Sequence, residues 1–292
     1  MNMKIIFLFA AFLISVPLAV AQEPLRIIVF GAHPDDCDIN TGGLAALYAQ
    51  MGHQVKFVSL TNGNKGHHIM KADELAARRK RELQEAGRIL GIVYVNMDNN
   101  DGELMPTLEN RFAVIKLICD WKADIVITHR PNDYHPDHRY TSIIVQDAAY
   151  MISVPKMIPD GEPLRKSPLF LYMPDRFQKP APFTPDIVVD ITSVAQKKAD
   201  AICAHDSQVY EWLPWIEGWA NELPSDPAER REYVGKRYLS RSNVERFKDA
   251  VAAWYSPEQV QNIKYIEAFE ICEYGSMPDK ARIRQLFPML PQ

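Results

Sequence analysis

Cysteine is scarce in this chain. There are four in 292 residues, Cys37, Cys119, Cys203 and Cys272, widely spaced and without a C-x-x-C pair. That excludes a cysteine-built zinc cluster or a disulfide framework as the organising device. A surplus of one charge is lacking too: a formal net charge of -4 leaves no footprint for nucleic acid or an anionic membrane surface. The longest apolar stretch, residues 5–16, is stopped by Pro17 and falls short of the ~20 residues that cross a bilayer, so no stable membrane anchor is expected. No internal repeat or low-complexity tract occurs. The first strand-like run is followed by G-A-H-P-D-D and not by G-x-G-x-x-G, which removes a dinucleotide-binding oxidoreductase.

What is present begins with "MNMKIIFLFAAFLISVPLAVAQEP". A lysine, an apolar stretch and the small-x-small close Ala19-Val20-Ala21 form the pattern of a secretory signal over residues 1–21, cleaved near Ala21. The expectation is a secreted or periplasmic protein. Residues 22–292 then have ordinary globular composition, 47% hydrophobic and 24% charged over the whole chain, and read as a single domain.

Short β-branched runs alternate with helical patterns. "LRIIVFGA", "HQVKFVSLT", "IVYVNM", "ADIVITH", "LFLYM" and "DIVVDIT" read as strands, and their near-continuous hydrophobicity suits a sheet covered on both faces. Residues 41–51, 73–90, 108–121, 140–151 and 194–203 read as helices. The alternation predicts an α/β fold, a Rossmann-like three-layer sandwich with a mostly parallel sheet. A proline-rich connection covers 152–186, and 209–262 reads as a helical C-terminal extension. The closing "YIEAFEICEYG" is strand-like again.

Two polar knots follow strands. "VFGAHPDDCDINTGG" (29–43) puts a histidine and two adjacent aspartates behind the first strand, and "HRPNDYHPDHRYT" (129–141) follows the "ADIVITH" strand. Ligands of open α/β sheets bind beyond the carboxyl ends of strands, so the knots face one crevice if the two strands are neighbours. Each knot holds a His-Pro-Asp, with a second potential metal ligand three residues after its histidine. Two imidazoles and a carboxylate form a recurring catalytic zinc set with one position left open, and His33, Asp36 and His138 are the candidates. Asp35 can then act as general base toward a water acidified by the metal. His135 can stabilise an oxyanion or protonate a leaving amine, with Asp137 holding its tautomer. The competing reading is that these are helix-capping and turn residues. Two matching knots favour a metal site holding one Zn2+ per chain, and the ligand set also admits another divalent metal.

These residues resemble the LmbE/PIG-L family of zinc-dependent N-deacetylases. "AHPDD" followed by Gly42-Gly43 looks like its first signature, and "HPDH" (135–138) like its second metal motif. "SLTNGNKG" (59–66), "RKRELQEAGRILGI" (79–92) and "KKADAICAHDSQ" (197–208) resemble a glycine loop, a helix and a later element of that family. The resemblance implies a Rossmann-like fold, one zinc, and hydrolysis of an N-acetyl group, usually on a glucosamine-type sugar. It makes His33, Asp36 and His138 the ligands, Asp35 the base and His135 the residue that stabilises the tetrahedral intermediate. It also matches Arg79 to an arginine that faces substrate; the alternative for Arg79 is a solvated helix face.

The implied partner is a small-molecule or glycan substrate. Rival readings are an amidase acting on another N-acyl or thiol-sugar conjugate, and a carbohydrate-binding protein with a non-catalytic metal. Cys37 stands where the family usually has glutamate, and either competes for the metal or packs in the core. Trp215 and Trp219, four apart, are expected on one packed helix face; the other reading makes Trp212, Trp215 and Trp219 an aromatic platform at the cleft rim. His67 and His68 are expected on a surface loop.

Overall fold

The computed structural model describes residues 23–158 and 161–291, so the leader expected over 1–21 lies outside the described residues. The strands are β1 (Arg26–Gly31), β2 (Gln54–Thr61), β3 (Val93–Asn99), β4 (Ile125–Thr128), β5 (Leu169–Tyr172), β6 (Ile187–Asp190) and β7 (Ile266–Ile271). They form one sheet in the order β3-β2-β1-β4-β5-β7-β6. All run parallel except β7, which is antiparallel to both β5 and β6.

Both faces are covered, and the sequence shows why. Along β1, Ile27 and Val29 enter one core while Ile28 and Phe30 enter the other, as the two-residue period of a strand requires. Helices α1 (Asp36–Gln50), α2 (Ala72–Leu90) and α5 (Ala195–Cys203) lie on the first face, contributing Leu44, Tyr48, Leu83, Leu90 and Ala201. Helices α3 (Leu108–Trp121) and α4 (Pro136–Met151) cover the second, contributing Val114, Ile115, Ile118, Ile144 and Val145. The result is the three-layer α/β sandwich expected. Among the described residues no helix is long and apolar enough to cross a membrane.

The chain order reverses at β1. From there it runs outward through β2 and β3 on one side, and returns as β4 on the other, with Val29 paired to Ile127. That is the topological switch point, where the crevice of an open α/β sheet lies. Both knots leave strands that border it.

Two helices begin earlier than their apolar periodicity indicates. α1 starts at Asp36 instead of Thr41, and α4 at Pro136 instead of Tyr140. The hydrophobic pattern cannot register these first turns, because their side chains serve the crevice and not the core. The 209–262 extension is helical but broken. A wide helical turn over Ser207–Trp212 leads into α6 (Leu213–Ile216), and α7 (Pro227–Leu239) is its one long helix. Trp215 and Trp219 therefore do not share a helix face: α6 stops at Ile216, and Gly218 turns with φ 80°. Trp219 is buried against Tyr233 and Arg237 of α7, while Trp215 stays half exposed.

Candidate metal centre

The tight passage from β1 into α1 places the first ligands. A Cβ on Gly31 would stand 2.8 Å from Asp36 Cβ and 3.0 Å from Cys37 Sγ, so only glycine lets the helix begin this close to the strand end. Asp36 Oδ2 then accepts from the His33 backbone N–H at 2.7 Å, which closes the turn. At the other knot Pro136 occupies the first turn of α4 and His135 is its N-cap, which brings His138 onto the inner face.

His33, Asp36 and His138, all buried, converge. His33 Nδ1 is 3.2 Å from His138 Nε2 and 3.5 Å from Asp36 Oδ2, and His138 Nε2 is 3.5 Å from Asp36 Oδ1. The separation of the two imidazole nitrogens matches the ~3.3 Å edge of a tetrahedron with ~2.0–2.1 Å bonds, and Asp36 sets one oxygen toward each ring. The charge balance agrees. Asp35, Asp36, Asp101 and Asp137 are four buried carboxylates, and among the described residues Arg79 is the one permanent cation paired to any of them. A divalent cation fits this donor set.

The imidazoles are steered from behind. His33 Nε2 lies 3.3 Å from both Asp137 Oδ2 and Asp101 Oδ1, leaving Nδ1 for the cation. His138 Nδ1 has Asp133 Oδ1 at 3.1 Å, a charge contact without the alignment of a hydrogen bond. Burial pulls His33 down in pKa, but hydrogen bonds from Asp101, Asp137 and Asp36 outweigh it and hold the imidazole well above its ordinary value. Without a metal this ring carries a proton that a cation must displace. Asp137→Asn is expected to weaken metal affinity about 10–100-fold, read by competition with a chromophoric chelator; unchanged affinity removes Asp137 from this support.

The structure corrects the expected role of Asp137. Its carboxylate does not hold the His135 ring; it faces His33 and accepts from the backbone N–H of Gly102 and Leu104 at 2.6 and 3.3 Å. His135 is instead set by the Asp137 backbone N–H, which donates to Nδ1 at 3.2 Å. That leaves Nε2 as the protonated nitrogen, on a ring that lines the cleft. Burial, then the charges of His33 and His138, lower the His135 pKa, so at neutral pH it acts as an uncharged hydrogen-bond donor.

Arg79 is also corrected. It is fully buried, so it neither lies on a solvated helix face nor reaches the cleft. Its guanidinium donates to Asp35 Oδ1 at 3.1 Å and to the Gly63 carbonyl at 3.4 Å. The glycine loop is shaped around it: Gly63 has φ 69°, and a Cβ there would sit 2.6 Å from Arg79 Nη1. Arg79 thus positions Asp35, whose carboxylate lines the cleft beside the donor triangle.

Sequence reasoning left three residues unassigned. Asp101 lies just past β3, and Asp133 and His129 lie within the second knot. His129 Nε2 accepts from the Ala32 backbone N–H at 3.2 Å and stands 3.3 Å from Asp36 Oδ2, with its ring stacked on His138 at 4.2 Å. Each follows the carboxyl end of a strand, and that was the available signal. Cys37 is fully buried with Sγ toward the Val29 and Val58 carbonyls, and burial pushes its thiol pKa well up, so it packs and does not compete for the cation.

The cleft above these groups measures about 470 Å³. Tyr134, Phe177 and Trp212 supply its apolar walls and Gln208 a polar one. At the rim Trp212 stacks on Trp215 at 5.4 Å, and Trp215 on His68 at 4.4 Å. The histidine loop lies at the surface as expected, with His68 exposed, and His67 ties it to the extension through Glu211 at 2.8 Å.

Residues 28–149 match the sequence model of the PIG-L family, described as GlcNAc-PI de-N-acetylase. Diacetylchitobiose deacetylase of Thermococcus kodakarensis is 28% identical over 207 residues, covering 65% of this chain and 74% of that protein. The 4-oxalmesaconate hydratase of Pseudomonas putida is 25% identical over 193 residues, 63% of this chain and 74% of that protein. In fold, the structure of N,N'-diacetylchitobiose deacetylase from Pyrococcus horikoshii superposes with a TM-score of 0.66 at 22% identity, covering 86% of this chain and 85% of that one.

Proposed function

We propose that this chain, whose residues 28–149 match the PIG-L family model, is an exported, zinc-dependent N-deacetylase acting on an N-acetylated amino sugar or glycoconjugate. The carrying observation is the triangle of His33 Nδ1, Asp36 and His138 Nε2 with Asp35 held beside it by Arg79. The deacetylase relative supports the acetyl group as the target. The amino-terminal pattern over residues 1–21 supports export.

His33, Asp36 and His138 would hold a zinc ion, which when bound would supply Lewis acidity and lower the pKa of water toward neutrality. The protein's own groups do the rest. Asp35, with Oδ1 engaged by Arg79, presents its remaining oxygen to take a proton from the attacking water. His135 offers an N–H where negative charge develops on the amide oxygen. The first turns of α1 and α4 point their positive ends into the same space, which favours both the carboxylates and a developing oxyanion. Trp212 and Phe177 give a sugar ring apolar faces to lie against.

The test is acetate release from N-acetylated sugars of increasing length by zinc-loaded protein recovered outside the cytosol, its first residue read by terminal sequencing. Acetate is expected, abolished by a chelator and restored by zinc, with a mature start near Gln22. A panel that yields no acetate defeats the deacetylase assignment; a retained leader defeats cleavage. Because one relative is a hydratase, acetate is the measurement that decides the reaction class.

A further inference from the structure

Beside the metal cleft lies a second chamber of about 370 Å³, and Asn40, Arg176 and Arg241 form part of the wall common to both. Three arginines converge on this chamber from separate segments. Arg176 comes from the connection between β5 and β6, Arg241 from the turn after α7, and Arg246 from a later turn. Two of the guanidinium groups lie over aromatic rings, Arg241 over Tyr238 at 4.6 Å and Arg246 over Phe247 at 4.7 Å. Arg246 also donates to the Asp175 backbone carbonyl.

Among the described residues none of the three forms an ion pair. The carboxylates in the chamber wall are already engaged. Asp175 accepts from Arg130 at 3.1 Å, and Glu217 from the Trp219 indole N–H at 2.7 Å. Glu267 accepts from Lys198 at 2.7 Å and from the backbone N–H of Gly43 and Leu44. Burial and then the neighbouring charge of Arg176 hold the Arg246 guanidinium below its ordinary range. Arg176 and Arg246 are exposed and Arg241 half-buried, so solvent and the nearby Asp175 carboxylate temper their mutual repulsion, while their guanidinium forks match planar or tetrahedral oxyanions.

We propose that this chamber is an oxyanion subsite, which takes a carboxylate or phosphate substituent of the same amino sugar whose N-acetyl group enters the metal cleft. The inference rests on the deacetylase reading and narrows its substrate to an anionic sugar. The acidic cleft and the basic chamber, joined through one wall, then read the two ends of one ligand.

Titration calorimetry tests it on metal-loaded Asp35→Asn protein, in which turnover is blocked. The probes are N-acetylglucosamine, N-acetylmuramic acid, which adds a carboxylate, and N-acetylglucosamine 6-phosphate. At least one anionic sugar is expected to bind about tenfold tighter than the neutral one, and the arm that does so separates carboxylate from phosphate. The advantage should shrink as salt rises and vanish in Arg241→Gln/Arg246→Gln protein. Equal or undetectable binding of all three sugars by Asp35→Asn protein with the three arginines intact overturns the subsite, as does an anion preference that survives the double replacement. Acetate release by the unsubstituted protein is scored separately. Anion preference without acetate keeps the chamber and loses the reaction; acetate without anion preference does the reverse.

Discussion

Asp35→Asn is expected to lower kcat by about 10²–10⁴-fold, the range for removing a positioned general base, with metal content unchanged. Asparagine keeps the size of the side chain and an oxygen to accept from Arg79, which donates to Asp35 Oδ1 at 3.1 Å. What it loses is basicity. Asp35 lies outside the triangle of His33, Asp36 and His138, so the cation has no reason to leave. Acetate release and metal analysis on the same preparation decide the matter. A full rate eliminates Asp35 as the base, whereas lost metal would make it a ligand instead. The neighbouring prediction separates positioning from chemistry: Arg79→Lys should lower kcat less than Asp35→Asn and leave KM nearly unchanged, since Arg79 is fully buried and touches Asp35 and not the cleft.

Lys198→Met is expected to cost about 3–5 kcal/mol of stability, the range for stranding one partner of a buried ion pair. Lys198 and Glu267 are both buried, and the ammonium lies 2.7 Å from Glu267 Oε1. Glu267 also accepts from the backbone N–H of Gly43 and Leu44 at 2.8 and 2.7 Å. The pair therefore ties β7 and α5 to α1, the helix whose first turn carries Asp36. With methionine at 198 the carboxylate keeps two donors but loses its counter-charge. Adding Glu267→Gln should recover part of the loss, because no charge remains buried, although the amide has one accepting oxygen for the Gly43 and Leu44 N–H groups that two carboxylate oxygens serve. Chemical denaturation of the single and double variants gives the comparison. A loss under about 1 kcal/mol for Lys198→Met, small against that range, would mean the pair does not hold these elements together.

Both effects involve residues whose roles local patterning shows unequally. His33, Asp35, Asp36 and His138 stand in two short motifs, and their chemistry is readable because it depends on residue type and spacing. Asp101 stands in a polar loop marked by its place after a strand and by nothing else, until β3 and β1 set it 3.3 Å from His33. Arg79 sits among Arg78, Lys80 and Arg81, and sequence neighbours do not reveal which of four cations points inward. The glycine loop supplies that answer by leaving room for one. Asp137 misleads for the same reason: adjacency to His135 suggests a partner, but helix geometry turns its side chain toward His33. The extension misleads differently, since Gly218 falls inside an apparently continuous aromatic spacing, and the helix stops at Ile216, between Trp215 and Trp219.

The sequence alone determined the alternation of strands and helices, the two-faced sheet and the donor types at its edge, because periodicity and side-chain chemistry are local properties. The tertiary structure decided which strands are neighbours, and hence that β1 and β4 bring the two knots to one crevice. It also decided which carboxylate orients which imidazole, and that three arginines, in no ion pair among the described residues, gather beside the metal cleft. Those pairings join residues far apart in the chain. They follow from the crossover topology and packing of the whole molecule, to which no short window of sequence has access.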